Sequence, residues 1–221
     1  MKLGYFITGT DTGVGKTLVA GALLRQLARR NLSTVGMKPV AAGCEMTASG
    51  WINQDVEALR RASTVAAEAS LVCPYALPEP VAPHIAAAEA GTHIELAVIG
   101  KRFRKLAALA DAVVVEGIGG FCVPLSERHD TADMAALLGL PVILVVGMRL
   151  GCLNHALLTA EMIRARGLVF AGWVANQIDP NMLRPAENIA ALASRLPCPR
   201  IGTISFLHPP NPDVIELKLN V

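Results

Sequence analysis

Residues 9 to 17 read GTDTGVGKT, and the residue types in that run share one kind of chemistry. Glycines let backbone N–H groups turn inward around an anion, a lysine adds charge, and a threonine hydroxyl reaches a divalent cation. These are the parts of a Walker A phosphate loop, G-x-x-x-x-G-K-[ST]. The register is off by one. Counting back from Gly15-Lys16-Thr17 puts Thr10 at the opening position and Gly9 one residue too early. The run LGYFIT before the loop has the character of a strand, and TLVAGALLRQLARR after it that of a helix, which is the setting a phosphate loop requires. A strand-turn-helix without a ligand would need neither Lys16 nor Thr17. The stretch therefore reads as a phosphate cradle with one added residue.

Other reactive side chains fall at the ends of apolar runs. Lys38 is followed by Pro39, which removes a ladder donor, so the lysine is expected at the carboxyl edge of a sheet beside the loop. A second cation there would neutralise developing phosphate charge; position alone equally allows a lysine snorkelling at a strand end. Glu116 ends AVVVE and leads into Gly117-Ile118-Gly119-Gly120, a placement suited to a metal ligand. Oxygens from Thr17, Asp55 and Glu116 would suit Mg²⁺, while Asp55 reads as well as an acid at a helix start. Asn176 ends VAN, where an amide can read a base edge or make a turn. Gly151-Cys152-Leu153-Asn154-His155 opens a helix after VILVV, a candidate seat for a carboxylate. Taken singly, Cys152 and His155 read as packing residues.

Holding these groups together takes a sheet. Strands are predicted at 3–8, 33–40, 112–116, 142–146, 169–175 and 200–204, and helices at 17–30, 94–110, 131–138, 153–166 and 184–195. Several strands are apolar at consecutive positions, as in parallel sheets covered on both faces. The alternation predicts an α/β fold: a three-layer, doubly wound, mostly parallel sheet of the P-loop NTPase or Rossmann-like kind, with ligands at the carboxyl ends of the strands. The four prolines of PYALPEPVAP, 74–83, predict an extended loop there, a lid or a dimer contact.

With 221 residues, no repeat and no linker, residues 1–221 are expected to form a single domain. Hydrophobic residues make up 52% and charged residues 17%, which excludes disorder. The net charge of +2 is scattered, and KRFRK at 101–105 reads as a solvated helix face, so neither nucleic acid nor a membrane is an expected partner. Five widely spaced cysteines with no C-x-x-C pair predict neither a disulfide framework nor a zinc site, and fit a reducing cytoplasm. No apolar run is long enough for a signal peptide or a membrane span.

Taken in order, TGTDTGVGKT, GMKPVAAG, EPVAPHIAA, VVVEGIGG, LPVILVVGMRLGCLNHALLTA and AGWVAN resemble the ATP-dependent dethiobiotin synthetase family along essentially the whole chain. That family shares the loop GTDTxVGKT, so the displaced Gly9 is a family trait. The resemblance implies a homodimer that closes a ureido ring. Carbon dioxide adds to one amine of 7,8-diaminononanoate, the carbamate takes the γ-phosphoryl group of ATP, and the second amine expels phosphate. Dethiobiotin, ADP and phosphate are the implied products.

Carried over by position, the resemblance implies that Gly13, Val14, Gly15, Lys16, Thr17 and Leu18 wrap the triphosphate. Thr17, Asp55 and Glu116 would hold Mg²⁺, and Lys38 and Lys16 would be the catalytic cations. Thr12, Lys38 and Ala42 would meet the diamine. Glu116, Gly117, Ile118 and Gly119 would line the nucleotide, Asn176 and Gln177 would read adenine, and Ser205, Phe206 and Leu207 would cover it. Gly151, Cys152, Leu153 and Asn154 would bind the diamine's far carboxylate across the dimer interface. Two departures stand out. The family usually has serine at the place of Ala42, which removes one hydroxyl contact, and His208 to Pro212 departs from its pattern, so no contact is carried over there.

Two rivals share this architecture. An amidotransferase synthetase of the cobyrinate type would need a glutaminase domain besides the one expected here. A ParA- or MinD-like switch ATPase would carry an additional lysine early in its loop, where this chain has Thr10 and Asp11.

Overall fold

Runs of valine, isoleucine and leucine with no polar alternation can be stable only where both faces of a strand are covered. In the computed structural model, which describes residues 3–48 and 50–219, they form a six-stranded parallel sheet. In chain order β1 (Leu3–Gly9) passes through the glycine loop into α1 (Lys16–Ala28). Next come β2 (Thr34–Met37), β3 (Val40–Ala41), a hairpin of β4 (Glu45–Thr47) and β5 (Gly50–Ile52), and α2 (Gln54–Ala62). They are followed by α3 (Ala69–Val72), β6 (Tyr75–Ala76), α4 (Pro83–Glu89), α5 (Leu96–Ala107) and β7 (Ala112–Glu116). The chain continues through α6 (Thr131–Leu138), β8 (Val142–Met148), α7 (Cys152–Ala165), β9 (Phe170–Gln177), α8 (Pro185–Ala193) and β10 (Arg200–Ile204).

The strand order is β10-β9-β8-β1-β7-β2, with every neighbouring pair parallel. β1 sits between β7 and β8, so the glycine loop leaves the middle of the sheet. Side chains alternate across it. Phe6 joins the core with Ile99 and Phe103 of α5, Met134 of α6 and Ile163 of α7; Tyr5 and Ile7 join the other core, with Val19, Leu23 and Leu27 of α1. Helices therefore cover both faces, giving the three-layer, doubly wound α/β class. Helix ends follow local chemistry. In α6, Asp130 and Asp133 form a capping box and Gly139 closes the helix in the left-handed region.

Three expectations change. The strand predicted at 33–40 is broken in two, because the Lys38 N–H leaves the ladder to bond Val72 O at 2.9 Å and Pro39 has no donor. The stretch 74–83 is not one extended loop: β6 pairs in parallel with β3, and Pro83 is the first residue of α4, where its missing N–H is no loss. The 45–52 hairpin and α2 lie outside the predicted elements, although Val56, Leu59 and Ala62 recur at helical spacing behind the helix-start acid Asp55.

The sheet and α2 approach so closely at β2 that Gly36 has no room for a side chain. A Cβ there would lie 2.9 Å from Leu59 Cβ and 3.1 Å from Leu24 Cδ1. Gly36→Val is therefore expected to destabilise the protein by about 1–3 kcal/mol through overpacking. Chemical denaturation would show it as a lowered midpoint, and an unchanged midpoint would contradict the packing described.

Candidate active site

The glycine loop is shaped by what it packs against. Thr10 N–H donates to Val145 O at 3.0 Å, and Gly147 N–H to Thr10 Oγ1 at 3.3 Å, so the loop runs along the end of β8. Val14 is buried. A Cβ on Gly9 would lie 2.6 Å from its side chain and one on Gly147 2.7 Å from it. Gly9, out of register for the motif, is thus a glycine because Val14 occupies the space above it. Gly13 and Gly15 have φ of 74° and 94°, which L side chains rarely adopt. A Cβ on Gly15 would also meet Asn176 Nδ2 at 2.2 Å. That amide is buried and donates to Val14 O at 2.8 Å, bracing the loop from β9.

Gly15 caps α1, whose first turn holds no acid, so unpaired N–H groups and the positive end of the helix face the loop's hollow. Lys16 is buried there and its Nζ donates to Asp11 O at 2.9 Å. Burial, reinforced by the charge of Lys38, lowers the Lys16 ammonium to about 8.

Beside it, side chains from four elements converge. Thr17 Oγ1 in α1 lies 2.8 Å from Asp55 Oδ1 and 3.0 Å from Glu116 Oε1. Lys38 Nζ, just beyond β2, donates to Asp55 Oδ2 at 2.9 Å, to Glu116 Oε1 at 2.5 Å and to Gly117 O at 3.4 Å. Asp55 comes from the first turn of α2, aimed by Asn53, whose side chain caps that helix through the Asp55 N–H at 3.0 Å. Both roles read for Asp55 in the sequence are thus available to it at once.

Lys38 and Glu116 are almost completely buried, 4% and 1% exposed, whereas the Asp55 side chain is 43% exposed. Burial opposes charge on Lys38, but Glu116 and Asp55 outweigh it and hold the proton on. Burial likewise pushes the Glu116 carboxyl up, with Lys38 pulling it back. For Asp55 burial is outweighed by Lys38 and Thr17, and the carboxyl is held low. The Lys38–Glu116 contact is a charge pair: its short distance and the three acceptors around the ammonium both favour the ionised state.

This cluster fits a hard divalent cation. Glu116 Oε2 is buried with no partner among the described residues, an acceptor left without a donor. Two carboxylates and a hydroxyl, all oxygen, suit Mg²⁺, which takes few protein ligands and completes its shell with phosphate and water. Among the described residues no three His, Cys, Asp or Glu side chains gather as an all-protein metal cage.

The remaining candidate residues are more dispersed. Thr12 stands exposed at the loop tip, and a Cβ on Gly119 would lie 3.5 Å from its hydroxyl, so the segment Gly117–Gly119, with Ile118 half-buried, faces that tip. The Ala42 carbonyl accepts from Asn53 Nδ2 at 3.2 Å, one residue from the helix that carries Asp55. Leu18 packs into the core beneath α1 and Gln177 ends β9 opposite Met148. Ser205 and Phe206 are exposed beyond β10, with Leu207 half-buried. Gly151 caps α7 at φ 94°, Asn154 is exposed and Leu153 half-buried, but the Cys152 side chain turns into the core and its N–H bonds Arg149 O. The sequence reading gave no role to Arg149, whose guanidinium meets the Asp11 carboxylate 138 positions away. The acid in the added-residue loop was the only local signal. Two concavities of about 530 and 320 Å³ lie elsewhere, one lined by His84, His93 and His129 and the other by Cys44, Trp51 and Cys73. Neither touches the lysine and carboxylate cluster.

The chain matches the AAA domain family over residues 3–214. It is 54% identical over 217 residues to the ATP-dependent dethiobiotin synthetase BioD of Aromatoleum aromaticum, covering 98% of this chain and 96% of that one. It is 53% identical over 206 residues to the protein of the same name from Nitrosospira multiformis, covering 93% and 89%. Among solved structures it is similar to the signal recognition particle receptor FtsY of Elizabethkingia anophelis in complex with GDP, with a TM-score of 0.58 and 14% identity. The 54 kDa signal recognition particle protein of Aeropyrum pernix in complex with GDP gives 0.57 and 14%. These two likenesses cover 98% of this chain but only 60% and 43% of those chains, and they show the fold alone.

A polyphosphate seated in the loop would return Lys16 toward its ordinary value, so binding above about pH 8 must take up a proton. Affinity for Mg²⁺-nucleotide, measured by calorimetry, is expected to be level below about pH 8 and to fall as pH rises above it. Lys16→Arg should remove that slope, and a level profile in the unaltered protein would contradict the environment assigned to Lys16.

Proposed function

The chain belongs to the ATP-dependent dethiobiotin synthetase family, and on that premise we propose that it closes the ureido ring of dethiobiotin from 7,8-diaminononanoate, CO₂ and ATP. One observation carries the reading: Lys16, Thr17, Lys38, Asp55 and Glu116 converge at the mouth of the phosphate loop.

The N-terminal N–H groups of α1 and the loop residues Gly13 to Leu18 bind the triphosphate, with Lys16 on its negative oxygens. Thr17, Asp55 and Glu116 hold Mg²⁺, which when bound neutralises phosphate charge. Lys38 leaves the carboxylates and places its ammonium on charge that develops elsewhere in the site. One amine of the diamine adds to CO₂ and loses a proton, giving a carbamate anion that Lys38 attracts. The carbamate oxygen attacks the γ-phosphorus and ADP departs. The second amine attacks the carbonyl of the mixed anhydride, the C–O bond to phosphate breaks, and the ring closes as that amine gives up a proton. Lys38 and Lys16 lower the barrier by meeting charge where it appears.

Thr12 at the loop tip and Ala42 lie toward the diamine. With Asn176 Nδ2 held by Val14 O, its Oδ1 is left to accept from the amino group of adenine, with Gln177 beside it and Ser205, Phe206 and Leu207 as cover. The far carboxylate reaches Gly151 to Asn154 of the second subunit of a homodimer. The unit is a single domain working in the cytoplasm; among the described residues no helix is long and apolar enough to cross a membrane.

In a mixture of protein, ATP, Mg²⁺ and bicarbonate, phosphate release is expected only after the diamine is added. Turnover without the diamine would overturn the reading. Lys38→Gln is expected to lower kcat about 100-fold or more while Mg²⁺-nucleotide binding persists. Near-normal kcat in that variant would show that Lys38 plays no chemical part.

A further inference from the structure

Asp11 and Arg149 have no role in the reaction outlined above, yet they are tied to both ends of the site. Each oxygen of Asp11 holds a different donor. Oδ1 accepts from Thr12 N–H at 2.7 Å, Oδ2 from Arg149 Nη2 at 2.5 Å, and the main-chain oxygen from Lys16 Nζ at 2.9 Å. Arg149 also works in two directions. Its side chain grips the loop, while its main-chain oxygen accepts the N–H of Cys152, the first residue of α7, at 3.1 Å. Closer to the sheet, the loop is fastened to β8 through Thr10 and by Val14 packed on Gly147. The Asp11–Arg149 pair is the outermost of these ties and the only one of them made by charged side chains. At 41% and 44% exposure such a pair contributes little to stability. What it joins is the loop tip and the turn that starts α7.

We propose that Asp11 and Arg149 are positioning residues that couple the nucleotide loop to the α7 terminus. The inference rests on the reading that the loop holds ATP and that this terminus holds the far carboxylate of the diamine. Since that carboxylate comes from across the dimer interface, the contact joins the nucleotide in one subunit to the diamine of the neighbouring site. A nucleotide that fixes the loop tip fixes Arg149 and the turn behind it, so the N–H groups that follow Cys152 in the first turn of α7 are already placed when the carboxylate arrives. By linkage the diamine tightens the nucleotide by the same factor.

The test is the affinity for Mg²⁺-ADP with and without saturating diamine, by calorimetry on the whole protein. ADP lacks the γ-phosphoryl group that would contact the diamine directly. In the unaltered protein the diamine is expected to tighten ADP about fivefold or more, at the low end of ordinary coupling. Asp11→Asn keeps an acceptor for the Thr12 N–H but removes the charge; it and Arg149→Met are each expected to bring the ratio to within about twofold of unity. Their combination should go no further, and Arg149→Lys should restore part of the effect. Unfolding midpoints should stay near that of the unaltered protein. A ratio unchanged in the variants, additive losses, or a ratio of one in the unaltered protein would overturn the proposal. If the unaltered protein binds ADP but no diamine, the synthetase reading fails and the coupling falls with it, a result distinct from a loss confined to the variants.

Discussion

A carboxylate at the end of a buried strand must have positive charge beside it, and Glu116 at the tip of β7 imposes that requirement on its surroundings. It is 1% exposed, and Lys38 reaches it from β2, the next strand in the sheet. Thr17 reaches it from the helix that follows the glycine loop, and Lys38 also links it to Asp55 of α2. Four elements are thereby brought to one point, the opening of the loop. A core of leucines could have packed the same helices onto the same sheet, but it would have left nothing there able to hold a cation or meet developing charge. The arrangement costs desolvation of an ion pair, which is weak evidence for stability and better evidence for a functional role.

The loop depends on this cluster and on a second constraint, the space around Val14. Gly9 and Gly147 lack side chains where Val14 sits, and Asn176 holds the Val14 carbonyl from below. The added residue in the loop is absorbed by this packing, and the left-handed glycines at 13 and 15 still turn the backbone toward α1. Shape and charge thus come from different sources. Apolar contacts between neighbouring strand ends give the hollow its form, and Lys16 with the α1 terminus gives it its sign.

The GDP-bound structures with the same architecture share only 14% of their residues with this chain. A doubly wound sheet offers a hollow at the strand ends to many ligands, and the side chains at those ends decide which chemistry follows. In the proposed reaction those side chains are Lys38, Asp55 and Glu116, at or just beyond the ends of β2 and β7 and at the start of α2.

The sequence by itself determined whatever rests on neighbours along the chain. Lys16 and Thr17 follow Gly15 within one turn of α1, Glu116 is the last residue of an unbroken apolar run, and β7 and β8 are legible because burial on both faces leaves uninterrupted valines and isoleucines. Only the tertiary structure decided what rests on distant partners. β2 stops at Met37 because the Lys38 N–H finds Val72, and the proline-rich stretch contains β6 because Val40 and Ala41 pair with it. Asp55 belongs with Thr17 because α2, packed through Leu59 and Ala62 on β2 and α1, carries it there, and Asp11 meets Arg149 because β1 and β8 are neighbours in the sheet. Motifs are written in residue order, whereas hydrogen bonds and charges act over a few ångströms of space, and the sheet order that converts one into the other is fixed only when both faces are packed at once.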